Sequence, residues 1–342
     1  MPSLASRRWL KSLLLAALVA TGAAHAGGRF VFISHAPDSD SWWNTVRNSL
    51  KQAGEDFGAT VDYRNPPTGD IADMARLVEQ AAAQNYDGVI VTVADFDVLQ
   101  GAIRKVTDKK IALITANSGT PEQSQKLGAL MHIGQGEYEA GHLAGEKAKA
   151  RGVSSFVCVN HYATNPASFE RCRGFGDAIG ADFRKSTIDT GIDPAQVESM
   201  TSAYLRQNPG TQAIFAIGPD SAQGALQAVA KGGLKGKIFF ATVDLSEAIV
   251  RGIKDGTIAF TIDQQPYLQG YVPVAVLSYL KDTGTRDVAA AIEAFKANDK
   301  ARQRLQDYGL QPHYGERVIS SGPGIVDQSN VDKVEKYAGQ YR

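Results

Sequence analysis

Short apolar runs alternate with amphipathic stretches along the chain from Arg29 onward. The runs are rich in Val, Ile and Phe, as in Arg29–Ser34 (RFVFIS) and Gly88–Val93 (GVIVTV). Such continuous apolar content is typical of strands that are buried on both faces of a parallel sheet. The stretches between them repeat apolar residues at helical spacing, as in Ser41–Phe57. The alternation predicts an α/β protein.

The alternation falls into two series, and each series predicts one lobe. The first series ends with a strand predicted at Ala129–Ile133, and the second begins with a helix predicted over Glu137–Ala150. Strands that are each followed by a helix indicate doubly wound parallel sheets, in which ligands bind beyond the carboxyl ends of the strands. The residues directly after each predicted strand are therefore the candidates for a binding site.

The N-terminal segment has the three parts of a secretory signal peptide. Arg7, Arg8 and Lys11 precede an apolar run, and Ala24-His25-Ala26 ends the segment with small residues at the positions that signal peptidase requires. The apolar run is shorter than the ~20 residues of a membrane-spanning helix. We therefore expect residues 1–26 to be a cleaved signal peptide and the protein to be periplasmic.

Charge and composition exclude several classes of protein. The chain has 342 residues, 36 basic and 36 acidic side chains, and 43% hydrophobic residues. Residues 1–26 contain three basic and no acidic residues, so the remaining chain is mildly acidic. A nucleic-acid-binding protein would show a basic excess, and we expect no nucleic-acid partner. The hydrophobic content is sufficient for packed cores in both lobes.

The two cysteines, Cys158 and Cys172, enclose a short loop between a predicted strand end and a predicted helix start. An oxidising compartment favours a disulfide between them, with two buried free thiols as the alternative.

Sequence motifs for catalysis and cofactor binding are missing. The chain lacks the G-x-G-x-x-G, G-x-x-x-x-G-K-[ST] and G-x-S-x-G patterns, and its six histidines show no metal-binding spacing. We therefore expect no cofactor, no metal site and no enzymatic activity. His35 and His161 follow strands and are either hydrogen-bond donors in a cleft or satisfied loop residues.

Polar and aromatic residues gather at the predicted strand ends and helix starts. Carboxylates and amides accept hydrogen bonds from hydroxyl groups, arginine donates them, and an aromatic face stacks on a sugar ring. Taken alone, Asp40 could also be a helix cap, and Arg171 could be a surface ion-pair partner. Together these residue types suit a neutral, hydroxyl-rich molecule. The candidate ligand-binding residues are Asp40, Trp42, Trp43, Asp95, Asn117, Ser118, Asn160, Arg171, Asp244 and Gln264.

Several segments, taken in their order along the chain, resemble those of periplasmic substrate-binding proteins of sugar ABC transporters, in the ribose-binding type I group. The resemblance runs from about Arg29 to Leu280. The segments that carry it are FVFISHAPDSDSWW (30–43), DGVIVTVADFD (87–97), IGQGEYEAGHLAG (133–145), RCRGF (171–175), QAIFAIGPDSAQGAL (212–226) and IDQQPYLQG (262–270).

The resemblance implies roles for individual residues. Asp40, Trp42 and Trp43 match the segment that contacts ligand after the first strand. Arg171 matches the ligand-binding arginine, Asp244 an acidic ligand contact, and Gln264 a crossover glutamine that also touches ligand.

Three departures argue against ribose itself. Asn117-Ser118 replaces an acidic residue and an arginine, Gly218-Pro219 replaces Asn-Asp, and the first loop is longer than in ribose binders.

The resemblance also implies two lobes joined by three crossovers, which close around a ligand by a hinge. The expected N-terminal lobe comprises residues 27–133 and 264–317, with a polar excursion at 283–315, and the C-terminal lobe comprises 134–263 and 318–342. The expected function is high-affinity binding of a sugar or polyol and its delivery to an ABC transporter membrane permease, by a monomer. The alternatives are a ligand-sensing subunit for a chemoreceptor or histidine kinase, and a binder of a furanose of the autoinducer-2 type.

Overall fold

The computed structural model describes residues 27–163 and 165–342. The predicted signal peptide, residues 1–26, lies outside the described residues.

The strands of the described chain follow the predicted alternation. They are β1 (Arg29–Ile33), β2 (Thr60–Arg64), β3 (Gly88–Val91), β4 (Ala112–Ala116), β5 (Met131–Gln135), β6 (Phe156–Asn160), β7 (Thr187–Asp189), β8 (Ala213–Ala216), β9 (Phe239–Val243), β10 (Phe260–Asp263), β11 (His313–Tyr314), β12 (Val318–Gly322) and β13 (Gly324–Val326).

Helices connect these strands. They are α1 (Trp43–Phe57), α2 (Ile71–Ala83), α3 (Phe96–Asp108), α4 (Pro121–Lys126), α5 (Glu137–Lys149), α6 (Pro166–Ile179), α7 (Phe183–Ser186), α8 (Pro194–Gln207), α9 (Pro219–Lys231), α10 (Glu247–Lys254), α11 (Pro266–Thr283), α12 (Val288–Ala297), α13 (Asp299–Tyr308) and α14 (Val331–Val334).

The strands form two sheets, one in each lobe. The first sheet has the order β11-β12-β5-β4-β3-β1-β2, and the second has the order β13-β10-β9-β8-β6-β7. Pairing is parallel except where β11 joins β12 and where β13 joins β10. Apolar side chains pack on both faces of each sheet. The prediction of two doubly wound lobes joined by three crossovers is confirmed.

The third crossover lies later in the chain than predicted. Strand β12 pairs in parallel with β5 of the first sheet, with Ile319 opposite Ile133, and the chain enters the second sheet only at β13. The boundary placed between residues 317 and 318 is therefore wrong, because Val318–Gly322 belongs to the first lobe. Its last residues, Ser-Ser-Gly, lack the apolar pattern that marks the other strands. The first crossover likewise follows Gln135, the last residue of β5, rather than residue 133.

The polar excursion at 283–315 covers the first lobe. Helices α12 and α13 pack Ile292, Phe295 and Tyr308 against the core that lies between α1 and α11. At one end, Arg304 forms an ion pair with Asp56 of α1 at 2.9 Å. The excursion therefore has a structural role as a second layer over α11.

The C-terminal segment contacts both lobes. Val331 and Val334 pack in the core of the second lobe, whereas Tyr337 and Tyr341 pack against that of the first. Arg342 pairs with Asp263 at 2.6 Å, and the Asp263 side chain is fully buried. Asp263 ends β10, so this ion pair lies directly before the second crossover.

Candidate functional site

A cleft between the two lobes brings the carboxyl ends of both sheets together. The space between its lining atoms amounts to about 490 Å³, open solvent at its mouth included. Its lining residues are His35, Asp40, Trp42, Trp43, Asn117, Ser118, His161, Tyr162, Asn165, Ala167, Ser168, Arg171, Ile217, Gly218, Pro219, Asp220, Asp244 and Gln264.

The loop after β1 supplies a carboxylate and two indoles. Asp40 is 4% exposed and accepts a hydrogen bond of 3.0 Å from the Trp42 backbone amide. Trp43 packs edge-on against His35, with ring centroids 5.4 Å apart, and is buried in the first-lobe core. The indole nitrogen of Trp42 is buried without a hydrogen-bond partner among the described residues. Both indoles border the cleft, and Trp43 also contributes to the core.

Asn117 and Asp244 occupy equivalent positions in the two lobes. Asn117 follows β4 with a φ of 62°, and Asp244 follows β9 with a φ of 66°. This left-handed conformation is uncommon for residues with side chains and concentrates at functional sites. It turns the chain sharply at the strand end, where both side chains line the cleft.

Gln264 in the second crossover connects these two positions. Its amide nitrogen donates to Asp244 Oδ2 at 2.6 Å, and its carbonyl oxygen accepts from Asn117 Nδ2 at 3.5 Å. Gln269 donates to the same oxygen at 3.2 Å and to Ser321 Oγ, beside the third crossover, at 3.0 Å. The floor of the cleft is therefore a hydrogen-bonded network that includes crossover residues.

Arg171 projects from α6 into the cleft and is already paired. Its Nη2 donates to Glu137 Oε1 at 2.8 Å, its Nε bonds the other carboxylate oxygen, and its Nη1 donates to the Ile217 carbonyl at 2.9 Å. The Arg171 and Glu137 side chains are 9% and 10% exposed. Glu137 begins α5, directly after the first crossover, and was not among the candidates. It acts on the cleft through Arg171, a relationship that no local motif indicates.

Burial perturbs the carboxyl groups that line the cleft. It raises the pKa of Asp244 to about 7, against the opposing effects of Arg171 and Gln264. Burial and the charge of Asp40 raise the pKa of Asp220 to about 6. Burial also raises the pKa of Asp40, although hydrogen bonds from Tyr162 and Trp42 oppose the rise. Desolvation thus penalises negative charge throughout the cleft.

The segment after β6, which the strand-end rule indicated, supplies contacts from two residues that were not among the chosen candidates. The Tyr162 hydroxyl donates to Asp40 Oδ2 at 2.6 Å, across the cleft. Asn165 caps α6 by accepting from Ala167 N, and its amide also approaches His35 Nε2 at 3.4 Å. The bonds of Tyr162 to Asp40 and of Asn165 to His35 join the two lobes. The signal that was available is that Tyr162 and Asn165 follow a strand, as the chosen candidates do.

The two histidines named as alternatives both line the cleft. His35 bonds Thr92 Oγ1 through Nδ1 at 2.9 Å, and His161 approaches Ser221 Oγ at 3.3 Å. Burial lowers the pKa of His35 to about 4 and that of His161 to about 3, with Arg171 adding to the second effect. Both rings are therefore neutral at neutral pH.

Two of the candidate residues do not line the cleft. Asp95 accepts from Val98 N at 3.0 Å and caps the start of α3 outside the cavity, so its assignment to the ligand site is wrong. Asn160 is fully buried, but its side chain donates to Asp189 Oδ1 at 2.6 Å and accepts from Tyr162 N at 3.1 Å. It orients the Tyr162 loop and does not face the cavity.

The structure joins Cys158 of β6 and Cys172 of α6 by a disulfide. Both residues are fully buried in the second lobe. Because Cys172 directly follows Arg171, the bond ties the helix that carries the arginine to the central part of its sheet.

Two further features of the described residues bear on function. Within residues 27–163 and 165–342, no three or more His, Cys, Asp or Glu side chains are arranged to hold a metal ion. In the same part of the chain, no helix combines the length and apolar character needed to cross a bilayer.

A family model described as a periplasmic binding protein domain matches residues 30–286. The match covers most of the chain, and the chain therefore belongs to this family. Its relatives are substrate-binding proteins of sugar ABC transporters of the ribose-binding type.

Curated relatives share about a quarter of their residues with this chain. The xylose/arabinose-binding protein XylF of Sulfolobus acidocaldarius is 25% identical, over 75% of this chain and 67% of its own length. The fructose import binding protein FruE of Bifidobacterium longum is 23% identical, over 86% of this chain and 99% of its own length. The ribose import binding protein RbsB of Haemophilus influenzae is 25% identical, over 78% of this chain and 89% of its own length.

Solved structures show the same fold. A carbohydrate transporter from Acidothermus cellulolyticus, in complex with myo-inositol, has a TM-score of 0.77 and 27% identity, covering 92% of this chain and all of its own. A solute-binding protein from Agrobacterium vitis with bound D-fucose has a TM-score of 0.72 and 21% identity, and the match covers 91% of this chain and 99% of its own.

Proposed function

We propose that this protein is exported to the periplasm, binds a monosaccharide or cyclic polyol in the interlobe cleft and delivers it to an ABC transporter permease. The observation that carries the proposal is the chemistry of the cleft. Buried carboxylates, amides and an arginine from both lobes converge on one cavity next to two indoles. No chemical transformation of the ligand is part of this function.

The polar groups of the cleft suit a ligand with many hydroxyl groups. A hydroxyl both donates and accepts, so it can bond Asp244 or Asp40 as a donor and Asn117 as an acceptor. The three side chains come from different segments and surround the cavity. A ligand that lacks a hydroxyl at one of these positions leaves a buried polar group unpaired, and this cost provides specificity.

The indoles of Trp42 and Trp43 suit the apolar face of a sugar or cyclitol ring. Their ring centroids are 4.9 Å apart and the planes meet at 75°. The two surfaces therefore form a corner rather than a flat platform. A ring with axial hydrogens on one face can pack into such a corner while its hydroxyls reach the polar groups.

His161 explains one departure from the ribose-binding pattern. A Cβ atom added at Gly218 would lie 2.8 Å from His161 Cε1, so the imidazole occupies the space that a side chain at position 218 would need. The cleft here has an imidazole where ribose binders have an amide. This replacement, together with Asn117-Ser118, argues for a ligand other than ribose.

The relatives support a sugar or polyol without identifying it. Their names refer to xylose and arabinose, fructose and ribose, and the structure with 27% identity contains myo-inositol. A cyclitol and several monosaccharides are therefore the first compounds to test.

Calorimetric titration of the mature protein tests the proposal. The panel comprises pentoses, hexoses, inositols and their amino derivatives, each offered to protein stripped of bound ligand by reversible unfolding. We expect one compound to bind with a stoichiometry of one and Arg171→Ala to weaken its binding. No binding across the panel by folded protein would refute the proposal.

A further inference from the structure

The charges that line the cleft do not balance. Asp40, Asp220 and Asp244 are acidic, and Arg171 is the only Lys or Arg among the described lining residues. Asp40 and Asp244 are 4% and 2% exposed, so solvent does not screen them fully. The cleft therefore presents more acidic than basic side chains to a ligand.

Arg171 compensates these carboxylates only in part, because it is also paired with Glu137. Both oxygens of Glu137 bond the guanidinium, and a third bond goes to the Ile217 carbonyl. A bidentate pair of this kind is a strong, geometrically fixed interaction. Burial raises the pKa values of Asp220 and Asp244, and the opposing effect of Arg171 on Asp244 does not offset the rise.

Aromatic faces surround the same space. Tyr162 packs against His161, with ring centroids 4.6 Å apart, and against His35 at 5.7 Å. Trp42 and Trp43 complete this group from the first lobe. Indole and phenol faces attract a cation that lies over them, most strongly where water is excluded.

Asp40 and Asp220 approach this aromatic group from opposite lobes. Asp40 lies in the loop after β1, and Asp220 lies in the first turn of α9. The negative charge of Asp40 helps to raise the pKa of Asp220. A positive group between these two carboxylates would remove their repulsion and would join the lobes.

We propose that the ligand is a polyol that bears a protonated amine, such as an amino sugar or an aminocyclitol, with the ammonium group between Asp40 and Asp220. This inference rests on the proposed sugar or polyol function and specifies its ligand class. The hydroxyl groups of the ligand bond Asn117, Asp244 and Arg171, and the ring packs on the indoles.

Matched pairs of ligands test the inference by calorimetry at pH 7. The pairs are D-glucosamine with D-glucose, D-galactosamine with D-galactose, and scyllo-inosamine with scyllo-inositol. A charge-assisted hydrogen bond is stronger than a neutral one, and we expect the amine of the best-binding pair to bind about tenfold more tightly or better. Equal or tighter binding of the neutral member would overturn the inference while leaving the polyol function intact. Failure of all six compounds and of the wider panel would refute the polyol function itself.

Asp220→Asn tests the position of the charge. We expect the variant to lose most of the preference for the amine over its neutral partner, because the amide offers a hydrogen-bond acceptor without a negative charge. Glu247→Gln is the matched control, since Glu247 also lies in the first turn of a second-lobe helix and its side chain is 86% exposed. An undiminished preference in Asp220→Asn, or an equal loss in Glu247→Gln, would contradict the proposed position.

Discussion

Tyr162 of the second lobe donates a hydrogen bond of 2.6 Å to Asp40 of the first lobe, across the mouth of the cleft. Burial and the nearby Asp40 charge raise the pKa of Tyr162, so the phenol stays protonated and remains the donor. Asp40 is also fixed by the Trp42 backbone amide at 3.0 Å, at the start of α1. The bond therefore joins the loop after β1 of the first lobe to the loop after β6 of the second lobe.

Removing this bond should weaken ligand binding. We predict that Tyr162→Phe raises the Kd about tenfold, because the closed form loses one charge-assisted hydrogen bond and leaves an oxygen of Asp40 unpaired. Calorimetry with the ligand found in the panel measures the change. Tyr86→Phe is the control, since the Tyr86 phenol bonds Asp62 at 2.5 Å within the first lobe. Equal affinities of wild type and Tyr162→Phe would show that the bond does not contribute to closure.

Asp244 should make the stability of the unliganded protein depend on pH. Its pKa is raised from 3.8 to about 7 in the folded state. The folded state therefore holds a proton that the unfolded state has lost, and this contribution to stability disappears as the pH rises through about 7. We predict that Asp244→Asn increases the Tm relative to wild type, and that the increase grows from pH 4.5 to pH 8.

Thermal denaturation of ligand-free protein across this pH range measures that difference. Asp97→Asn, at an exposed first-lobe carboxylate in α3, controls for the loss of one acidic group. A difference in Tm that is constant with pH, or that shrinks as the pH rises, would contradict the buried position of the Asp244 carboxyl.

The sequence predicted much of the cleft because the carboxyl ends of parallel strands share one edge. This rule indicated Asn117 and Asp244, the second of which also matched the family resemblance, and both lie in the cleft. The same rule included Asp95, which caps α3 instead, since a residue after a strand can serve the next helix as easily as a ligand. Periodicity predicts where an element ends, and the direction of a side chain beyond that point depends on contacts with the other lobe.

The residues that were missed act through contacts between distant segments. Glu137 affects the cleft only by holding Arg171, which is 34 positions further along the chain. Tyr162 matters because Asp40, 122 positions away in the chain, lies opposite it across the cleft. No pattern of residue spacing in the sequence predicts either contact. The third crossover was predicted too early in the chain for the same reason. Strand β12 is identified by its pairing with β5 rather than by its own composition.

The disulfide should contribute measurably to stability. Cys158 and Cys172 are separated by 14 positions, and a loop of this size corresponds to a stabilisation of about 3 kcal/mol. We predict that the double variant Cys158→Ala/Cys172→Ala lowers the free energy of unfolding of the second lobe by about 2–4 kcal/mol. Urea denaturation measures the loss, and thiol counting on denatured wild-type protein checks the bond. Two reactive thiols in protein isolated without reductant would contradict it.

The ion pair before the second crossover should matter more than surface pairs in the same segment. Asp263 is fully buried and Arg342 is 10% exposed, whereas Lys254, which bridges Asp332 and Glu335, is 42% exposed. We predict that Arg342→Ala costs about 3–5 kcal/mol, because it leaves a buried carboxylate unpaired. Lys254→Ala should cost about 1 kcal/mol or less. Similar small losses in both variants, measured by urea denaturation, would show that Arg342 does not stabilise this crossover.

Mass spectrometry of the small molecule released from natively purified protein tests the central claim most directly. We predict one molecule per chain of a monosaccharide or cyclic polyol that carries an amine. We also predict that Arg171→Ala, purified in parallel, retains much less of it. A released compound without several hydroxyl groups, or full occupancy in Arg171→Ala, would contradict binding of a polyol in this cleft.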